Sequence, residues 1–364
     1  MLVFIINLIK IMVLRPIRLI NYLVLGVRIY FISTCESRLG SFAAFELNVI
    51  SSIFLLHWGP KGTHTAGTYI YWQILGTAFF AFSCIVSSSN LTSWSNGTAE
   101  ILVWGGFCFG FLVKIGCFPF HYWFWDVLVK HNWINIFIFG VLNKYGQFLV
   151  VRNFGFSNSF YSLFFFFFFI TSLIGAFLGF TGERVRELIV ASSLLQTGIL
   201  GILANTNCFA FKIYFIVYAL IRWNFIISQY YFGNGYFFSN YSKLKKSNLE
   251  KQTFGWYGIC MLGFPPTRGF LIKSYLISRI LGGGRYLLLF FIMIRRVLSA
   301  GWYYTIIRNF WSLSRGRQEL LRKKFNSPGY LIINKYYQNF FTFYSMVCVD
   351  LILRGRLATL YYLI

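Results

Sequence analysis

In this chain of 364 residues, 57% are hydrophobic and only 12% charged, and the mean hydropathy is +0.64. That is too apolar for the surface of a soluble globular domain, so the sequence reads as an integral membrane protein. The formal charge of +24 does not point to nucleic acid, because the basic residues lie mostly in breaks between apolar runs and not on a soluble domain.

Apolar length predicts an all-α polytopic membrane protein, a single transmembrane domain over 1–364, with about eleven spans near 2–32, 40–58, 68–88, 99–128, 133–151, 157–180, 186–204, 208–231, 254–283, 285–307 and 337–360. The first run carries Lys10, Arg15, Arg18 and Arg28 without a cleavage site, and is expected to be a retained helix. Its lack of a Ser-rich amphipathic leader favours synthesis inside an organelle.

The second span holds Phe45-Glu46-Leu47-Asn48, an acidic residue in an apolar helix. The fourth holds Lys114 and runs through Gly116, Cys117, Pro119, His121 and Trp123, and the fifth holds Lys144. A charge at the bilayer centre costs on the order of 3 kcal/mol even on a lenient scale, so such residues normally carry ions or protons. Glu46 and Lys114 are expected to form a switchable pair, with the proton moving on to Lys144. The alternative is structural, with hydrogen-bonded polar groups packing helices together. His121 is a candidate relay, and Asp126, Lys130 and His131 are expected at a membrane interface.

The run Phe164 to Phe169 in the sixth span reads as a lipid-facing aromatic surface. The ninth span is interrupted by Gly263-Phe264-Pro265-Pro266-Thr267-Arg268-Gly269, and Lys273 follows. Proline and glycine loosen the helix there as they do at Gly116 to Pro119, so two discontinuous helices are expected, near 114–120 and 263–269. Broken helices in corresponding halves point to an ion path in an inverted-repeat transporter, with repeats of about 40–151 and 186–307. Arg222, Arg279, Arg295, Arg296, Arg354 and Arg356 are expected to meet lipid or neighbouring subunits, and Asp350 to pair with Arg354.

Basic clusters at 243–251 and 308–324 lie in loops after even-numbered spans, whereas the loops at 89–98 and 205–207 have no basic residue. The N-terminus and the basic loop at about 308–330 are therefore expected on the synthesising side, and the C-terminus, after the helix at about 337–360, on the other. The basic clusters suit anionic lipid. The seven cysteines form no CxxC pair and the four histidines no i, i+4 pair, so no metal or redox centre is expected on this chain.

These segments, in this order, resemble the antiporter-like membrane-arm subunits of proton-pumping NADH:ubiquinone oxidoreductase, respiratory complex I, and among them the subunit 2 family in its mitochondrial form. Phe45 to Asn48 is similar to that family's L-E-x-N segment and Lys114 to Trp123 to its K-x-G-x-x-P-F-H-x-W segment. Asn143-Lys144, Arg186 to Ser193 with Gly198, and Gly263 to Lys273 follow the same pattern, the last resembling G-L-P-P-x-x-G-F-x-x-K. The resemblance implies proton translocation driven from a distance, with Glu46 as the modulating partner of Lys114, Lys144 as the central carrier and Lys273 near the far half-channel.

It further implies the mitochondrial inner membrane, with a matrix-side N-terminus and an intermembrane-space C-terminus. The implied partners are the subunit 4 antiporter-like chain, the small subunit 4L and phospholipids including cardiolipin. NADH, FMN, iron–sulfur clusters and ubiquinone would belong to other subunits, with no cofactor on this chain. A subunit of a cation/proton antiporter and a structural membrane scaffold are the competing readings.

Overall fold

The structure, a computed structural model, describes Val24, Gly255 and residues 38–57, 62–88, 98–153, 158–182, 184–206, 208–232, 257–264, 267–282 and 286–315. Every regular element among them is helical. Apart from Val24, the expected first and last spans, 2–32 and 337–360, lie outside the described residues, as do the basic cluster at 243–251 and the pair Asp350 and Arg354. Among the described residues four helical stretches are long and apolar enough to cross a membrane: Gly62–Val86, Ser162–Thr181, Val185–Ala204 and Phe209–Ile226.

The chain divides into two compact units, Met1–Phe215 and Ile216–Ile364. The first contains α1 (Arg38–His57), α2 (Gly62–Ser88), α3 (Thr98–Ile115), α4 (Tyr122–Val129), α5 (Trp133–Phe137), α6 (Asn143–Asn153), α7 (Asn158–Thr181) and α8 (Val185–Thr206). A π-helical turn, Ile138–Leu142, joins α5 to α6, where apolar length alone predicts one regular helix. α9 (Cys208–Phe232) crosses the boundary between the units.

In the first unit α2 packs on α3 and on α1, and α7 packs on α8. The close approaches depend on small residues, as expected where helices meet without water to squeeze out. A Cβ at Gly110 on α3 would come within 2.9 Å of the Gly76 carbonyl on α2, and one at Gly198 on α8 would collide with the Phe168 backbone on α7. α8 is buried along nearly its whole length, whereas α2 leaves Tyr71, Ile74, Phe79, Phe82 and Ile85 exposed on the outside. Val49, Leu56, Tyr69, Trp123, Phe124, Phe139 and Leu194 form an apolar core joining α1, α2, α4, the π turn and α8.

α2 begins at Gly62, six residues before the apolar run at 68. Its first turn is polar, and Thr65 donates its hydroxyl to the Gly62 carbonyl at 3.3 Å, so helix and apolar length part company there.

The second unit holds the later part of α9, a helical segment at 257–262, α10 (Arg268–Gly282) and α11 (Tyr286–Arg315). α11 turns Arg295, Ser299, Trp302 and Tyr303 inward, positions at helical spacing, and exposes Met293, Ile294, Val297 and Tyr304. It also continues to Arg315, so residues 308–315, expected in a basic loop, are helical. Arginine and leucine are good helix formers, so helix propensity carries α11 past the end of the apolar run that hydropathy registers. Residues 316–330 lie outside the described residues.

Candidate functional site

The site starts from the way α3 ends. Gly116 has φ +73°, a left-handed conformation that a residue without a Cβ adopts at little cost. The Cys117 amide bonds the Leu112 carbonyl at 3.0 Å and the Gly116 amide reaches the Val113 carbonyl at 3.2 Å, the paired closure of a Schellman end. Pro119, which lacks an N–H, follows, and helix resumes only at Tyr122.

Carbonyls near a helix end need other donors. Trp123 Nε1 donates to the Val113 carbonyl at 2.9 Å. The Lys114 carbonyl accepts two amides, Gln147 Nε2 at 3.2 Å and Gln73 Nε2 at 3.4 Å. The end of α3 is thus held by side chains from α4, α6 and α2.

The Lys114 side chain is almost fully buried, at 1% exposure, and its Nζ lies 3.1 Å from Glu46 Oε1 on α1. Glu46, by contrast, is 35% exposed. The ammonium also sits 4.9 Å from the Phe45 ring centroid, 5.6 Å from that of Phe80 and 5.9 Å from that of Phe42. Aromatic faces attract a desolvated cation by about 2 kcal/mol, which offsets part of the cost of burying the ammonium. The stem crosses Gly76, where a Cβ would come within 2.8 Å of Lys114 Cγ.

Lys144 is equally withdrawn from solvent, at 1% exposure, and stands on α6 just after the π turn. Turns of this kind often mark functional positions in helices. Its Nζ lies 3.7 Å from the Phe124 ring centroid on α4. The helix break and the π turn therefore bring the end of α3, the start of α4 and Lys144 together.

In the second unit Gly263 has φ +77° and its amide bonds the Ile259 carbonyl at 3.0 Å, closing the 257–262 segment. Lys273 on α10 turns its ammonium back onto that end, donating to the Met261 carbonyl and, at 3.0 Å, to the Leu262 carbonyl. A cation at the C-terminal carbonyls of a helix is placed favourably. Gly269 makes this packing possible, since a Cβ there would collide with the Cys260 carbonyl.

His121 occupies the N-cap position of α4 without a side-chain capping hydrogen bond, its ring 6.4 Å from that of Phe118 and 4.1 Å from that of Tyr122. No described hydrogen bond joins it to Lys114 or Lys144. His131, in the turn between α4 and α5, is fully buried, with Nε2 2.8 Å from Thr65 Oγ1. Burial, reinforced by the nearby Arg186 charge, pushes its imidazole down to about 4. The expected interface position thus holds a buried histidine. Among the described residues no three His, Cys, Asp or Glu side chains converge to hold a metal.

Sequence reasoning passed over Gln73 and Gln147, although buried amides inside apolar runs are themselves a signal, since each must find a partner. It also placed Arg222 toward lipid or a neighbour. The structure buries Arg222 inside the second unit, its guanidinium 5.4 Å from the Tyr218 ring centroid. Arg295, assigned the same surroundings, is likewise buried.

Residues 19–299 match the family profile described as NADH:quinone oxidoreductase/Mrp antiporter, transmembrane. The chain is 23% identical over 299 residues to the NADH-ubiquinone oxidoreductase chain 2 of Anopheles gambiae, covering 80% of this chain and 85% of that one. It is 24% identical over 336 residues to the protein of the same name from Aedes aegypti, covering 90% and 93%. A chain of respiratory complex I from Thermus thermophilus shares the fold, with a TM-score of 0.69 at 18% identity over 80% of this chain and 70% of that one.

Proposed function

The chain belongs to the NADH:quinone oxidoreductase/Mrp antiporter transmembrane family, and from that premise we propose that it is a proton-translocating, antiporter-like subunit of respiratory complex I. Coverage of most of two insect chain 2 proteins supports this assignment over other members of the family. The observation that carries the proton-path reading is the buried Lys114 ammonium, paired with Glu46 and linked through its own carbonyl to the helix of Lys144.

An ammonium at Lys114 repels one at Lys144, and the repulsion is strong where water is scarce. Closing the pair at Glu46 favours charge on Lys114 and sends the Lys144 proton onward, and opening it reverses the bias. Glu46 is the modulating partner and Lys144 the central carrier. Lys273, held at the second helix end, serves the far half-channel, and His121 is a side relay.

The wider arrangement has about eleven spans, with inverted repeats near 40–151 and 186–307 and discontinuous helices near 114–120 and 263–269. In this reading the chain sits in the mitochondrial inner membrane, with its N-terminus in the matrix and its C-terminus in the intermembrane space. Its neighbours are the subunit 4 antiporter-like chain, subunit 4L and cardiolipin-containing lipid. NADH oxidation, FMN, iron–sulfur clusters and the ubiquinone site belong to other subunits. A subunit of a cation/proton antiporter is the second reading, favoured by the family's inclusion of Mrp antiporters.

Mild solubilisation, native electrophoresis and mass spectrometry separate the two. Comigration of this chain with NADH-oxidising activity is expected. Its recovery in an assembly lacking that activity would reject the complex I reading in favour of the antiporter.

A further inference from the structure

Two buried glutamines converge on one atom. Gln147 and Gln73 each donate an amide hydrogen to the Lys114 carbonyl, at 3.2 and 3.4 Å, and a carbonyl has lone pairs for two donors. They arrive from different helices. Gln147 stands on α6 one turn after Lys144, at the i, i+3 spacing that puts two side chains on one face. Gln73 stands on α2 one turn before Gly76, the residue beneath the Lys114 stem. The α3 end is therefore pinned beside both lysines, through main chain at one and through a neighbouring turn at the other, and the pin occupies neither ammonium group.

We propose that Gln147 is a positioning residue for proton transfer: its amide ties the Lys114 end of α3 to the Lys144 helix and sets the separation and aim of the two lysines. This role rests on the proton-path reading above. The α3 end has lost its helical continuation, and the π turn makes the neighbouring stretch irregular, so regular backbone hydrogen bonding alone does not hold these helices in register. A side-chain tie at their meeting point supplies that constraint. Transfer between groups falls steeply with small misplacements, so losing the tie should slow proton movement while both lysines remain present.

The test compares protons moved per NADH oxidised in assembled complexes carrying Gln147→Met, Gln147→Asn, Gln73→Met or Lys144→Ala, with Gly105→Ala as control. A Cβ at Gly105 would meet nothing within 4 Å. Met keeps the length of the side chain without a donor. Asn keeps the amide on a stem shorter by about 1.5 Å, the length of one carbon–carbon bond. Both Gln147 variants are expected to assemble and oxidise NADH while their proton ratio falls at least halfway to the Lys144→Ala value. Gln73→Met should fall less, because its tie does not reach the Lys144 helix.

A role confined to packing would lower the amount of complex and leave the ratio per complex unchanged. A wild-type ratio in either Gln147 variant overturns the proposal, and so does failure of both to assemble, which would make Gln147 structural. A wild-type ratio in Lys144→Ala instead rejects the proton-path reading, and the positioning role with it.

Discussion

Lys114 and Glu46 meet at 3.1 Å from unequal surroundings, the lysine 1% exposed and the glutamate 35%. Glu46 stands at the surface of this chain, open to a neighbouring group, whereas among the described residues the ammonium is otherwise surrounded by the rings of Phe42, Phe45 and Phe80. Separation of the pair is thus easier by movement of Glu46 than by movement of Lys114, whose stem lies against Gly76 and whose carbonyl is held by two amides.

That asymmetry predicts unequal substitutions. Glu46→Gln leaves a buried ammonium without its counter-charge and should destabilise the protein by about 1–3 kcal/mol, less than for a fully enclosed pair because one partner lies at the surface of the chain. Lys114→Met removes the buried charge itself and should be close to neutral for stability while abolishing transport through the pair. Persistence of the complex on native gels after graded heating measures the first effect and proton uptake by vesicles the second. Equal loss of stability in both variants would contradict the asymmetry.

Lys144→Ala should assemble and lose most proton movement through this chain, by a factor of about 100 if the lysine is an obligatory proton carrier. Proton flux in reconstituted vesicles is the measurement. Unchanged flux would leave Lys144 as a structural charge over the Phe124 ring.

His131 gives a pH prediction on stability. Its imidazole titrates near 4 when folded, against an ordinary value of 6.5, so the unfolded chain binds the extra proton between those limits. The stabilising effect of a neutral His131 is complete above pH 6.5 and declines as pH falls toward 4, by up to about 3 kcal/mol. His131→Asn, neutral throughout, should flatten this part of the melting-temperature profile. An unaltered acid slope in that variant would assign the pH dependence to other groups.

Gly269→Ala should disrupt the second unit, because the added Cβ would collide with the Cys260 carbonyl, which is backbone and has little room to yield. A cost of about 1–3 kcal/mol is expected, in the range of forced overpacking. Retained melting temperature would show that α10 slides without loss. The Lys273 contacts to Met261 and Leu262 depend on the same approach and should weaken in parallel.

The helices were largely legible from runs of apolar residues, since a span must bury its backbone hydrogen bonds within itself. The runs at 157–180, 186–204 and 208–231 agree closely with α7, α8 and α9. Polar helix ends were not, and so α2 starts earlier and α11 ends later than hydropathy predicts. The π turn at Ile138–Leu142 left no sign in its apolar residues, because its register is a matter of packing around it. Glu46, Lys114, Lys144 and Lys273 stood out because charge is rare in apolar runs, whereas the amides of Gln73 and Gln147 signal that each needs a partner without saying that they share one.

By itself the sequence determined that this is a helical membrane chain and where its unusual charges lie, since each follows from local composition and the dielectric cost of charge. Only the tertiary structure decided that Lys114 reaches Glu46 across 68 positions, that Gln147 holds the Lys114 carbonyl, and that Arg222 is interior. Those pairings depend on which helix faces meet, and that is set by packing between segments far apart in the chain.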